Sequence, residues 1–141
     1  MCGLAGFLTK TSLKSNSEDL LRKMGRSLVH RGPDDDGVWM DPAAGVGLAH
    51  QRLSVIDLSS EGRQPMISAS GRYVITYNGE IYNFLELRKN LDQTEDSHWR
   101  GHSDTEVILA SIEKWGLPQA LKKFNGMFAF ALWDREMQPL T

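Results

Sequence analysis

A single cysteine in 141 residues excludes an internal disulfide, so nothing in the chain calls for an oxidising compartment. Basic residues form no block. Sixteen Lys and Arg stand against 18 Asp and Glu, a formal net charge of -2, which argues against a nucleic-acid footprint. The first residues lack the basic leader and long apolar run of a secretion signal, and Cys2 occupies the position where N-myristoylation requires glycine. The sequence also lacks a G-x-x-x-x-G-K phosphate loop and a strand-coupled G-x-G-x-x-G, leaving nucleotide chemistry without support. Internal repeats, low-complexity tracts and linkers are missing too. What remains is ordinary: 40% apolar and 24% charged residues, in a length that suits one cytoplasmic domain with a real core, bound to no membrane.

The cysteine that is present stands in an unusual place, one residue from the amino terminus. If Met1 is removed, Cys2 carries a thiol and a free α-amine on one carbon, groups that ordinarily titrate at about 8.5 and at about 7.7 to 8.0. Nucleophilic catalysis needs such a pairing, because the thiolate is the reactive species and something must take its proton. On position alone, the plainer reading of a small hydrophobe is preferred.

Further along, Leu4 to Thr9 reads as a short strand, and from Ser17, a cap, a helix begins with Leu20, Leu21, Met24 and Leu28 on one face. The turn-forming segment from His30 to Gly37 contains three consecutive Asp residues, but their spacing does not fit an EF-hand and a solvated turn is preferred; no metal site is expected. Val38 to Met40 and Val46 to Ala49 form a hairpin, after which Arg52 stands where strand gives way to loop, as a snorkelling edge residue or a fork for a carboxylate. Leu58 to Ser70 reads as a long irregular flap.

Tyr73 to Tyr77 is a strand that runs into Asn78-Gly79-Glu80. Asn-Gly is a strong hairpin signal, yet the capping-box spacing of Asn83 and Glu86 and the periodicity of Phe84, Leu87 and Leu91 favour a helix beyond, so a strand-turn-helix passage competes with the hairpin. A polar loop, Asp92 to His102, holds two histidines read as surface residues. Ser103 to Glu106 is a capping box for a helix through Trp115, in which Asp104 reads as a dipole-stabilising residue. A short helix with Ala120, Leu121 and Phe124 precedes Met127 to Trp133, an apolar run that suits a strand buried on both faces. The sum is α+β: mostly antiparallel strands in layers, with helices packed outside.

Seven stretches, taken together and in order, resemble one family. They are Met1 to Gly6, His30 to Asp34, Leu48 to Asp57, Gln64 to Met66, Tyr77 to Asn83, Ser103 to Glu106 and Phe124 to Phe130. The chain is similar to the glutaminase half of glutamine-hydrolysing asparagine synthetases, which are class II glutamine amidotransferases of the N-terminal-nucleophile hydrolase superfamily. Ala49-His50-Gln51-Arg52-Leu53-Ser54, in place of Arg-Trp-Ala-Thr-His, favours this branch over the sugar-phosphate and phosphoribosyl amidotransferases.

The resemblance implies a four-layer αββα sandwich of two antiparallel sheets and a set of roles. Cys2 attacks the side-chain amide of glutamine, while the Asn78 amide and the Gly79 N–H hold the oxyanion. Arg52 takes the α-carboxylate, Asp104 and Glu80 take the α-ammonium, and the backbone of Leu53, Ser54, Val55 and Ile56 lines the pocket. Ammonia passes to a synthetase domain or subunit that amidates aspartate or a related carboxylate. ATP and Mg2+ are expected only for that domain, and no cofactor for this chain. The resemblance further implies that residues 1–141 are one amidotransferase domain, C-terminally incomplete, without the synthetase domain and with an open sheet edge that leaves a homodimer among the allowed assemblies. Three alternatives stay open: an idle glutamine-binding module, an amidotransferase of antibiotic or polysaccharide biosynthesis, and an unrelated N-terminal-nucleophile hydrolase acting on another amide.

Overall fold

The computed structural model describes residues 1–93 and 98–137. Its elements run β1 (Gly3–Leu8), α1 (Ser17–Arg26), β2 (Asp35–Asp41), β3 (Val46–Arg52), β4 (Met66–Ile67), β5 (Tyr73–Ile81), α2 (Phe84–Asp92), α3 (Asp104–Trp115), α4 (Leu117–Lys123) and β6 (Gly126–Asp134), with one helical turn at Ser60–Gly62. Two antiparallel three-stranded sheets result, ordered β1-β3-β2 and β4-β5-β6. Helix α1 packs on the first sheet, β1 and β3 face β5, and α3 packs on β5 and β4. The layers are therefore helix, sheet, sheet, helix, as the resemblance implies.

The main core lies between the second sheet and helices α2 to α4. Ile75, Tyr77 and Ile81 of β5 meet Leu87 and Leu91 of α2, Val107, Ile108 and Ile112 of α3, and Ala120 of α4. Burying each aliphatic side chain contributes about 1.5 to 3 kcal/mol, so this apolar patch is what fixes α3, and with it Asp104, against β5. Helix α3 starts as its sequence predicts: Ser103 Oγ accepts from Glu106 N at 3.3 Å. The Glu106 carboxylate reaches not to Ser103 but to the amides of Arg100 and Gly101, at 2.7 and 3.0 Å, and so shapes the approach to the helix.

Several local expectations change. Strand β5 runs straight through Asn78-Gly79-Glu80 to Ile81, so the segment is neither a hairpin nor a turn. Pairing with β6, Gly79 opposite Phe128, outweighs the local turn preference. Gly79 has φ +152°, and a Cβ there would collide with the Met127 carbonyl oxygen, so glycine is needed for the two strands to approach. Asn83 forms no side-chain cap; its amide instead ties α2 to the start of β6 through Lys123 O and Asn125 N.

Strand β6 pairs only with β5 among the described residues and is not buried on both faces. Phe128, Phe130 and Leu132 pack on the core, whereas Met127 is 68% exposed. Ser17 follows the capping position, held by Asn16, and its hydroxyl accepts from Lys14 N. Leu20 is exposed, because α1 meets its sheet through Leu21 and Gly25. The expected loop at Asp92 to His102 lies partly outside the described residues; within them His98 and His102 are exposed.

The sheets are tied across their interface by polar groups. Thr76 Oγ1 donates to Ala49 O at 3.3 Å, and His50 Nε2 donates to Tyr77 O at 3.0 Å. With Nε2 as the donor, Nδ1 is a bare lone pair, and it has no partner among the described residues. Burial is the main reason that the His50 pKa falls from 6.5 to about 4. The unfolded chain thus takes up a proton below about pH 6.5 that the folded chain refuses until about pH 4. Stability is full above that window and is lost as pH falls through it. We expect urea denaturation to show a loss of about 2 kcal/mol from this ring between pH 7 and pH 5. The His50→Gln variant, whose amide can still donate to Tyr77 O, should lack that component, and an unchanged pH slope in this variant would rule out the assignment.

Candidate active site

Register places the amino terminus beside the end of β3. Gly3 pairs with Gln51, so Cys2 lies next to the Arg52-Leu53 junction. Leu53 N donates to Cys2 Sγ at 3.2 Å, and Sγ lies 3.6 Å from Leu53 O. The half-buried thiol is thereby pinned to the backbone just past the strand. The segment from His30 to Asp34 braces the same junction. Asp34 N donates to Arg52 O at 2.9 Å, and Asp34 Oδ2 accepts from Ser54 N at 2.8 Å.

Arg52 is 7% exposed, and its side chain is gripped only by neutral acceptors: Nη1 donates to Ser59 O at 2.7 Å and Nη2 donates to Asp57 O. It forms no ion pair among the described residues. A Cβ at Gly62 would press on Nη2, so the absence of a side chain at residue 62 lets the turn at Ser60–Gly62 close over the guanidinium as it lies. The snorkelling reading is set aside, since the charge is held inside the loop.

Strand β5 and the start of α3 form the opposite wall. Asp104 is 4% exposed; Oδ2 accepts from Tyr77 Oη at 2.7 Å and from Ile81 N at 3.0 Å. These bonds turn the carboxylate away from the helix's own amides, so its role exceeds that of a dipole partner. Oδ1 has no hydrogen bond among the described residues, and neither has the Asn78 side-chain amide. Burial, followed by the Asp104 charge and hydrogen bond, pushes the Tyr77 phenol far above its ordinary value. Tyr77 is thus a fixed donor at any physiological pH. Gln64 links the same parts, accepting from Tyr77 N at 2.6 Å and donating to Thr105 Oγ1 at 3.3 Å.

A cavity of about 190 Å3 lies between these walls, lined by Cys2, Arg52, Asn78, Gly79, Glu80 and Asp104, with Leu53, Val55 and Ile56 beside them. Ser54 alone among the expected residues does not line it; its amide is turned to Asp34. Exposed Glu80 stands at the rim. Tyr77, Gln64, Asp57 and Gly62 line the cavity without having been assigned a role from the sequence. Periodicity marks Tyr77 only as a strand residue, and no local signal shows that its hydroxyl crosses to α3. Met1 also lines the cavity and is 65% exposed. Among the described residues no grouping of three or more His, Cys, Asp or Glu could hold a metal ion, and no helix is long and apolar enough to cross a membrane.

The arrangement combines a thiol, an unpaired amide donor, a buried cation and a buried carboxylate around one small space, and comparison with known proteins gives it a family. The profile of the glutamine amidotransferase domain matches residues 1–141. Asparagine synthetase [glutamine-hydrolyzing] 1 of Bacillus subtilis is 40% identical over 137 residues, which are 96% of this chain and 21% of that protein. A putative asparagine synthetase [glutamine-hydrolyzing] of Mycobacterium tuberculosis is 38% identical over 146 residues, covering 95% of this chain and 22% of its own length. Amidase chry2 of Gibberella zeae is 34% identical, covering 99% and 22%. The chain thus spans about one fifth of the length of these relatives. In fold it is similar to glutamine phosphoribosylpyrophosphate amidotransferase of B. subtilis, with TM-score 0.68 at 20% identity, over 95% of this chain and 35% of that one. The profile over the whole chain fixes the family: the chain belongs to the glutamine amidotransferase domain family, and among its relatives it is similar to glutamine-hydrolysing asparagine synthetases.

Proposed function

We propose that the chain hydrolyses glutamine to glutamate and ammonia through Cys2. The observation that carries the reading is the cavity in which the Cys2 thiol, the free Asn78 amide, the unpaired Arg52 charge and the open oxygen of Asp104 converge. The Arg52 guanidinium takes the α-carboxylate of the substrate, and Asp104 with Glu80 takes its α-ammonium. The clamp presents the side-chain amide to Cys2 as a near-attack neighbour.

Sulfur attacks the amide carbon, forming a C–S bond and moving the carbonyl electrons onto oxygen, where Asn78 Nδ2 and Gly79 N–H stabilise the charge. Collapse breaks the C–N bond, the departing nitrogen takes the proton lost by the thiol, and ammonia leaves a thioester. Water then adds to the thioester and releases glutamate. The proton relay in this reading is the α-amine of Cys2, so the active species begins at Cys2. The exposure of Met1 at the cavity suits its removal, whereas retention would leave a peptide nitrogen with no base function. No cofactor takes part; ATP and Mg2+ belong to the partner that uses the ammonia.

That partner, in our reading, is an asparagine synthetase-type domain or subunit amidating aspartate, in a cytoplasmic setting where a thiol stays reduced. The names of the B. subtilis and M. tuberculosis relatives favour this acceptor. The likeness to amidase chry2 supports a second reading, in which the same glutaminase serves another carboxylate.

Purified chain beginning at Cys2 should release equimolar glutamate and ammonia, and Cys2→Ala should abolish this; equal turnover by that variant contradicts the mechanism. An idle binding module would instead bind glutamine with no turnover and no labelling of Cys2 by an electrophilic glutamine analogue. Asn78→Ala should lower kcat about a hundredfold to a thousandfold with little change in KM. Tyr77→Phe should act the other way, raising KM several-fold more than it lowers kcat, since it loosens Asp104 and leaves the oxyanion donors in place. Steady-state kinetics on the two variants checks this division.

A further inference from the structure

Asp57 is 6% exposed and forms no salt bridge among the described residues, yet its carboxylate is fully engaged. Oδ1 accepts from Ser59 N at 2.8 Å and from Ser59 Oγ at 2.5 Å, closing the loop on itself. The carbonyls of Asp57 and Ser59 in that same loop are the two that grip Arg52. Oδ2 leaves the loop and accepts from His102 N at 2.8 Å, two residues before Asp104. At the neighbouring position, a Cβ on Gly101 would stand 2.5 Å from Oδ2, so the chain entering α3 comes this close only as glycine. Burial alone would raise the Asp57 pKa, but the bonds from Ser59 and His102 and the charge of Arg52 together hold it below the ordinary carboxylate value. One carboxylate thus joins the loop that holds the cation to the segment that leads into the anion.

We infer that Asp57 is a positioning residue that sets the separation of Arg52 and Asp104, and thereby selects for ligands carrying both an α-carboxylate and an α-ammonium. The inference rests on the amino-acid clamp proposed above. A zwitterion gains from both arms only if their spacing matches its own, and no covalent link between them exists over the 52 residues from Arg52 to Asp104 other than the chain itself. Asp57 shortens that path: its own carbonyl, and through Ser59 its Oδ1, reach Arg52, and its Oδ2 reaches His102 N, two residues of chain from Asp104. Glutamine needs the match, whereas 4-carbamoylbutyrate, the same amide without the α-ammonium, engages Arg52 alone and does not.

The test compares these two amides in Asp57→Asn. An amide NH2 cannot accept from both sets of donors, so one of the links is lost while size is preserved. We expect kcat/KM for glutamine to fall about tenfold to a hundredfold, mainly through KM, as loss of a charge-assisted hydrogen bond implies. For 4-carbamoylbutyrate the change should be less than about threefold by the same reasoning, and alkylation of Cys2 by iodoacetamide should keep its rate. A merely structural role would lower stability and both amides alike, which overturns the proposal, as does an unchanged preference for glutamine. If Asp57→Asn does not fold, Gly101→Ala, which presses on Oδ2 from the other side, must show the same loss of preference. If the unaltered chain turns over neither amide, the proposed function fails by itself. Amide hydrogen exchange then decides the inference: Ser59 or His102, whichever faces the new NH2, must exchange faster in Asp57→Asn, and unchanged protection of both overturns it.

Discussion

Among the described residues, Arg52 carries a positive charge into a space where main-chain carbonyls alone accept its hydrogen bonds, and the Asp57 carboxylate feels its charge without forming an ion pair with it. Carbonyl dipoles orient a guanidinium and satisfy its N–H groups, but they cancel no charge. Taking such an ion out of water costs several kcal/mol even after relaxation, and the cost is recovered best by an anion at the remaining face. A protein interior would normally supply Asp or Glu there, as it does for Arg72 with Asp134 at 2.7 Å on the surface. At Arg52 the place is left to the cavity, and the loop from Leu53 to Gly62 is shaped around that choice. The turn at Asp57 to Ser59 points carbonyls inward, and Gly62 has no side chain to obstruct the guanidinium.

The opposite wall applies the converse logic to Asp104. One oxygen is spent on the Tyr77 hydroxyl and the Ile81 amide, and the other remains open. Both donors are neutral, and the phenol stays protonated in this setting. Both arms are therefore half-satisfied ions, each orientated by neutral protein groups and each incomplete without a ligand of opposite sign. Between them, Asn78 and Gly79 are presented from a strand rather than a turn. Their geometry is inherited from the β5–β6 ladder and the core beneath it, which makes the proposed oxyanion donors as rigid as the sheet.

Much of this was legible from residues alone. Alternation and β-branching mark Tyr73 to Tyr77 as a strand, the glycine-bearing turn marks the β2–β3 hairpin, and Ser103 with Glu106 marks the start of α3; each of these signals is local. What escaped was set by distant partners. Asn78-Gly79 carries a turn preference that is overridden by the strand lying opposite it, and Met127 to Trp133 has the composition of a buried strand although Met127 and Ala129 on one side of it are exposed. In the site, the charged and amide-bearing residues stood out by type, whereas Tyr77 and Asp57 act through hydrogen bonds across 27 and 45 positions, separations that no sequence window spans.

The central claim is that one amino-acid ligand completes both half-satisfied ions while its side-chain carbonyl carbon meets Cys2. A crystal structure of the chain beginning at Cys2, after reaction with an electrophilic glutamine analogue, tests it directly. The account predicts a covalent bond to Cys2 Sγ, the ligand carboxylate on the Arg52 guanidinium, its ammonium on Asp104 Oδ1, and the former carbonyl oxygen between Asn78 Nδ2 and the Gly79 amide. An adduct on Cys2 whose carboxylate and ammonium lie away from Arg52 and Asp104 would contradict it.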